Sequence, residues 1–208
     1  MSRTVLYETF RGTSIHPDLK WLNPAPAWRL ESGASRLVIC PAAGTDFWQR
    51  THYGFRADNG HFLFTEVAGD FVIEARIHIF PVHQYDQAGL MVRLSDEFWL
   101  KASVEFEPGA PSRLGAVLTN CGYSDWSLQD FDGDGMRGYC LRVRRERDDY
   151  LVEYADEESG PWRLLRVAHL LVETGSTVGA GVYACSPKGA GFRAEVEYLK
   201  VETSPPSP

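Results

Sequence analysis

Gln87, Arg93, Trp99, Lys101 and Glu105 are the residues of this 208-residue chain whose types and spacing could do chemistry together. They fall in the stretch QYDQAGLMVRLSDEFWLKASVEFE, residues 84–107, as two alternating runs joined by Ser95-Asp96-Glu97. Side chains on a strand alternate faces with a period of two. Ala88, Leu90, Val92 and Leu94 then share one face of the first run, and Phe98, Leu100, Ala102, Val104 and Phe106 share one face of the second. That apolar surface requires a core. Paired as a hairpin, the opposite face collects Gln87, Arg93, Trp99, Lys101 and Glu105. An aromatic plane beside fixed donors and acceptors suits a sugar, whose apolar ring face packs on an aromatic side chain while its hydroxyls take directed hydrogen bonds. Trp48, Trp126 and Tyr85 extend the aromatic part of the candidate ligand site, and Gln49, Arg50 and Asp125 its polar part.

Other constellations carry less. Asp130-Phe131-Asp132-Gly133-Asp134-Gly135 fits the first half of a calcium loop, but Leu141 stands where the bidentate glutamate belongs. Asp130, Asp132 and Asp134 are therefore a weak calcium candidate, and no cofactor is expected. The histidines show no metal-ligand spacing. Cys40, Cys121, Cys140 and Cys185 form no Cys-x-x-Cys pair and read as reduced residues packed as small hydrophobes. No nucleophile elbow, phosphate loop or dinucleotide fingerprint is present.

The elements that must position the candidate site are short strands. Residues 70–80, DFVIEARIHIF, alternate most clearly, with Phe71, Ile73, Ala75, Ile77 and Ile79 facing inward. Residues 139–147 and 150–154 read as a hairpin whose basic run, Arg142, Arg144, Arg145 and Arg147, is the wet side of an amphipathic strand. Residues 168–172 read as a single helical turn. Roughly a dozen or more strands separated by turn residues, with no sustained helical period, predict an all-β, two-sheet antiparallel jelly-roll sandwich. One domain is expected over residues 1–201, with a proline-rich disordered tail over residues 202–208.

A net charge of -7 argues against a nucleic-acid partner, which needs a positive footprint. No run approaches the roughly 20 apolar residues of a membrane helix. Met-Ser-Arg-Thr is not followed by a signal-like apolar stretch, so a cytoplasmic location is expected.

Five segments in order, TDFWQRTHYGF (residues 45–55), YDQAGLMVR (85–93), FWLKASVEFE (98–107), SDWS (124–127) and GVYACSP (181–187), resemble the domain of unknown function 1349 family, also labelled regulation-of-enolase-like. The resemblance runs over residues 21–201. It implies a concanavalin A-like lectin/glucanase sandwich with one concave sheet and a groove that related carbohydrate-active folds use for sugar. It implies no reaction. Glycosidases of this general fold often set their acids in a Glu-x-Asp-x-x-Glu run, with the two working carboxyls about 5 to 5.5 Å apart in retaining enzymes. The nearest candidate catalytic pair here is Glu105 and Glu107, about 6.5 to 7 Å apart along a strand, and a third acid is missing. Lys101 is expected to pair with Glu105 and hold its pKa down, the wrong direction for a general acid.

The expected function is a carbohydrate-binding module with a small sugar or sugar-derived metabolite in the groove. The alternative is a regulatory module docking on a partner protein, a metabolic enzyme, through Trp48, Trp99 and Trp126. Glycoside hydrolysis by the Glu105 and Glu107 pair stands third. Two plainer roles compete with the site: core positions for the tryptophans, and cross-strand ion pairs for Arg93, Lys101 and Glu105.

Overall fold

A computed structural model of the chain describes residues 3–203 except 132, 134 and 174. The calcium candidates Asp132 and Asp134, and residues 204–208 of the expected tail, lie outside the described residues. In chain order the strands are β1 (Arg3–Glu8), β2 (Lys20–Leu22), β3 (Ala27–Glu31), β4 (Arg36–Cys40), β5 (Phe47–Gln49), β6 (Arg56–Asp58), β7 (His61–Val67), β8 (Phe71–Phe80) and β9 (Gln87–Arg93). They continue with β10 (Trp99–Glu105), β11 (Arg113–Asn120), β12 (Tyr123–Asp130), β13 (Tyr139–Glu146), β14 (Asp149–Ala155), β15 (Arg163–His169), β16 (Val178–Cys185) and β17 (Arg193–Thr203).

Two antiparallel sheets form the expected sandwich. One is eight-stranded in the order β15-β14-β13-β8-β17-β4-β3, with β1 also on β17; the other is seven-stranded in the order β12-β11-β10-β9-β16-β7-β2. A separate hairpin pairs β5 with β6. β4 takes residues 194–196 of β17 and β1 takes residues 199–203, so the two short strands share one edge of β17 end to end. No helix among the described residues is long and apolar enough to cross a membrane.

Alternation explains the core. Phe71, Ile73, Ala75, Ile77 and Ile79 of β8 are all buried, as the sequence predicts. They meet Ala88, Leu90 and Val92 of β9 and Leu100, Ala102 and Val104 of β10 between the sheets. The seven-stranded sheet also has a second apolar cluster on its outer face: Phe47, Trp48, Phe62, Met91, Trp99, Val117, Tyr183 and Cys185. Strands buried on both faces lose their polar alternation, and every residue of β16 is buried.

Several local expectations fail. Residues 168–172 form no helical turn; β15 continues to His169, and the Leu170 N–H then donates to Asp148 O at 3.1 Å. Glu202 and Thr203, expected in the tail, belong to β17, where Thr203 pairs with Arg3. Arg145 is buried rather than wet, because it shares the inward face of β13 with Leu141 and Val143. Its guanidinium donates to the carbonyls of Arg147 (2.7 Å) and Ser176 (2.8 Å). All four cysteines are free; Cys140 and Cys185 are buried, but Cys121 is exposed in the β11–β12 turn.

Candidate functional site

The register of β9 and β10 sets Glu105 opposite Gln87, Lys101 opposite Met91 and Trp99 opposite Arg93. Gln87 is the hub of that face. Its Oε1 accepts from Lys101 Nζ at 3.0 Å and from the Tyr183 hydroxyl at 2.9 Å. Its Nε2 donates to Glu105 Oε2 at 2.9 Å and to Tyr85 O at 3.1 Å. Both ends of the amide are engaged, so its orientation is determined by its partners. Lys101 is buried and makes a second contact, to Asp46 Oδ1 at 3.3 Å.

Glu105, at the end of β10, is only partly exposed. Burial raises its pKa from 4.5 to about 7; the Lys101 charge opposes the shift, while Asp46 and Glu107 add to it and the Gln87 hydrogen bond opposes it. Lys101 thus acts with the expected sign, but desolvation outweighs it. The depressed pKa anticipated for Glu105 does not occur.

Aromatic groups close the other side. The Trp48 indole N–H donates to Thr51 O at 3.1 Å, which anchors the ring and leaves its faces for other rings. Trp126 meets it edge-to-face at a centroid distance of 6.3 Å, and Tyr53 lies 5.4 Å away. Trp126 projects from β12 across Gly115: a Cβ there would stand 2.9 Å from the indole nitrogen. Tyr53 and Phe55 ride on a compact loop secured by Arg50 N–H to Phe55 O (2.9 Å) and Gly54 N–H to Arg50 O (2.8 Å).

These walls enclose a cavity of about 220 Å³ lined by Asp46, Trp48, Tyr53, Phe55, Tyr85, Gln87, Lys101, Glu105, Val117, Trp126, Pro187 and Lys188. Asp86 holds its far rim. That buried carboxylate accepts from the Val82 and His83 N–H groups at 2.8 Å each and lies 2.5 Å from Ser186 Oγ. Ser186 N–H donates to Thr45 Oγ1 at 3.0 Å, which ties the Pro187-Lys188 loop to the segment carrying Asp46.

Of the sequence-predicted ligand set, Trp48, Tyr85, Gln87, Lys101, Glu105 and Trp126 line this cavity. The others do not. Trp99 has no exposed surface, and its N–H donates to Asp96 O at 3.1 Å. Gln49 is buried beneath the site, its backbone N–H on Ser124 Oγ. Arg50 turns to Gly122 O at 3.0 Å and the Tyr123 ring. Arg93 pairs with Asp58 at 2.9 Å, and the exposed Asp125 pairs with Arg166 at 2.8 Å.

Glu107 lies beyond the end of β10 and accepts from Gln84 Nε2 at 2.8 Å, outside the cavity lining. Asp130 pairs with Arg113. Among the described residues, no group of three or more His, Cys, Asp or Glu side chains could hold a metal ion. Asp46, Tyr53, Phe55, Val117, Pro187 and Lys188 complete the lining without having been singled out for the ligand set. Tyr53 and Phe55 had no alternation to reveal them, because they sit in a loop.

Residues 21–204 match the family described as "Protein of unknown function (DUF1349)". The chain belongs to this family. Over 173 residues, 83% of each chain, this DUF1349 protein is 36% identical to "Regulation of enolase protein 1" of Saccharomyces cerevisiae. It superposes with a TM-score of 0.82 and 32% identity on a solved structure titled as a functionally unknown protein from Saccharomyces cerevisiae, covering 90% of this chain and 97% of that one. The GH43 BlXynB protein from Bacillus licheniformis shares the fold at a TM-score of 0.75 and 15% identity, over 95% of this chain and 39% of that chain.

Proposed function

We propose that this DUF1349 chain is a lectin-like binding module that holds a small sugar or sugar-derived ligand against the outer face of the seven-stranded sheet. The observation that carries this reading is the two-sided cavity of about 220 Å³: Trp48, Tyr53, Phe55 and Trp126 on one side, and the linked Lys101, Gln87 and Glu105 on the other. A sugar ring offers that same combination of an apolar face and a hydroxyl edge. Glu105, neutral below about pH 7, can donate as well as accept a hydrogen bond to a hydroxyl.

The test is a thermal-shift panel of mono- and oligosaccharides with a glycan array. A sugar that raises Tm in the wild type and not in Trp126→Ala supports the reading. A panel with no shift in the wild type counts against it.

A second reading, regulation of a metabolic enzyme by docking, draws support from the printed name of the yeast relative. Its anticipated surface is reduced here. Trp99 and Trp48 are 0% and 7% exposed, so the aromatic surface at the cavity mouth is chiefly Tyr53 and Phe55. A wild type that binds a partner protein but no sugar, and loses that partner in a Tyr53→Ala, Phe55→Ala variant, would favour docking. Turnover of a bound sugar that disappears in Glu105→Gln would favour hydrolysis.

A further inference from the structure

The cavity does not end at its aromatic wall. Asp46, Phe55, Pro187 and Lys188 also line a more open compartment of about 590 Å³ that adjoins it beside β6. Each carboxylate of that compartment has a cationic partner, although Asp58 Oδ1 is buried without a hydrogen bond. Asp46 has Lys101 at 3.3 Å, and Asp58 has Arg93 at 2.9 Å. Asn59, also in its lining, is committed at both ends, donating to Gly44 O and accepting the Asp46 N–H, each at 3.0 Å.

Arg56 and Lys188 differ. Both are exposed and line the compartment, and among the described residues neither has an ion-pair partner; the Lys188 ammonium rests 5.5 Å from the Tyr85 ring. Glu107 is held by Gln84 and lines neither space. Two cations without carboxylates therefore stand at the mouth of the site in a chain whose net charge is -7. A local excess of one charge in a cleft, against the sign of the whole molecule, selects ligands of the opposite sign.

We infer that the ligand is an anionic sugar, a sugar phosphate or a sugar acid, with its ring in the aromatic cavity and its acidic group in the open compartment on the side of Arg56 and Lys188. This rests on the sugar-binding reading. Arginine supplies a planar fork suited to phosphate or carboxylate, and lysine a mobile point charge that can follow either.

Calorimetric titration of the full chain compares glucose, galactose and xylose with glucose 6-phosphate, galactose 1-phosphate and glucuronate, with inorganic phosphate alone as the control. An acidic sugar is expected to bind about tenfold more tightly than its neutral parent at low salt, as charge-assisted contacts require. That preference should shrink as salt is added. An Arg56→Gln variant, altered at an exposed position outside the aromatic cavity, should lose most of that preference while binding the neutral sugar as the wild type does. Preference for the phosphate esters assigns the charge to phosphate, and preference for glucuronate assigns it to carboxylate. Equal affinity for acidic and neutral sugars in the wild type overturns this inference and leaves the sugar reading standing. Inorganic phosphate binding as tightly as the sugar phosphates overturns the sugar half, and no binding by any sugar overturns both.

Discussion

Lys101 and Glu105 stand on the same face of β10, yet the Lys101 ammonium donates to Asp46 and Gln87, and it is the Gln87 amide that donates to Glu105. An amide placed between the two charges keeps the cation from neutralising the acid directly. Desolvation then dominates, and the Glu105 pKa rises to about 7.

That rise has a signed consequence for stability. The folded state holds the Glu105 proton up to about pH 7, whereas the ordinary value is 4.5. Between those values the folded state binds more protons than the unfolded one, so this group's contribution falls as pH rises and levels off above pH 7. Glu105→Gln removes the titration. Urea unfolding at pH 5 and pH 8 should show the wild type losing on the order of 1–2 kcal/mol relative to the variant, after allowance for solvent screening of a partly exposed group. An equal pH response in the two proteins contradicts the assignment.

Trp99 and Trp126 should separate cleanly. Trp99→Ala opens a hole between Phe47, Met91 and Tyr183 and should cost about 3–5 kcal/mol. Trp126 is partly exposed, and Trp126→Ala should cost clearly less stability than Trp99→Ala while weakening sugar binding at least tenfold. Denaturant midpoints and ligand titrations on both variants check this.

Lys101→Met keeps the side-chain length but leaves Asp46 facing the cavity without its cation. Breaking a buried pair on one side costs about 3–5 kcal/mol, and replacing both partners costs much less. The side chains here are 5% and 21% exposed, which places the expected loss near the lower end. Adding Asp46→Asn to Lys101→Met should recover a good part of it. A double variant as unstable as the two single losses added together would argue against the pair.

Arg145→Ala should destabilise the chain far more than Arg144→Ala. Arg145 satisfies part-buried carbonyls in two segments, whereas Arg144 makes partly exposed ion pairs with Glu146 and Glu153. Orphaned carbonyls together with lost packing correspond to about 3 kcal/mol, against less than about 1 kcal/mol for the surface pairs. Chemical denaturation of the two variants decides it.

Alternation made the sandwich legible. β8, β9 and β10 carry their apolar residues at every second position, so their inward faces could be read directly, while the register that sets Gln87 opposite Glu105 came from the structure. It also made part of the site legible, since Gln87, Lys101 and Glu105 share a face for that reason. Trp99 shares that face too, but period two does not reveal that β5 folds over the sheet and buries it. Asp86 was invisible because its role depends on the Pro81-Val82-His83 turn meeting Ser186, a hundred residues away. Arg145 misled because a charged residue in a basic run reads as wet unless nearby carbonyls are known to receive it. Tyr53, Phe55 and Lys188 come from loops, where neither spacing nor composition indicates which way a side chain points.

The most direct test of the central claim is an isothermal titration of the wild type and Trp126→Ala with the sugar that gives the largest thermal shift. The cavity reading predicts saturable binding to the wild type and at least a tenfold loss in the variant, at an unchanged fold, which corresponds to about 1.4 kcal/mol or more. Equal affinity in the two proteins would place the sugar elsewhere and contradict the assignment of this cavity.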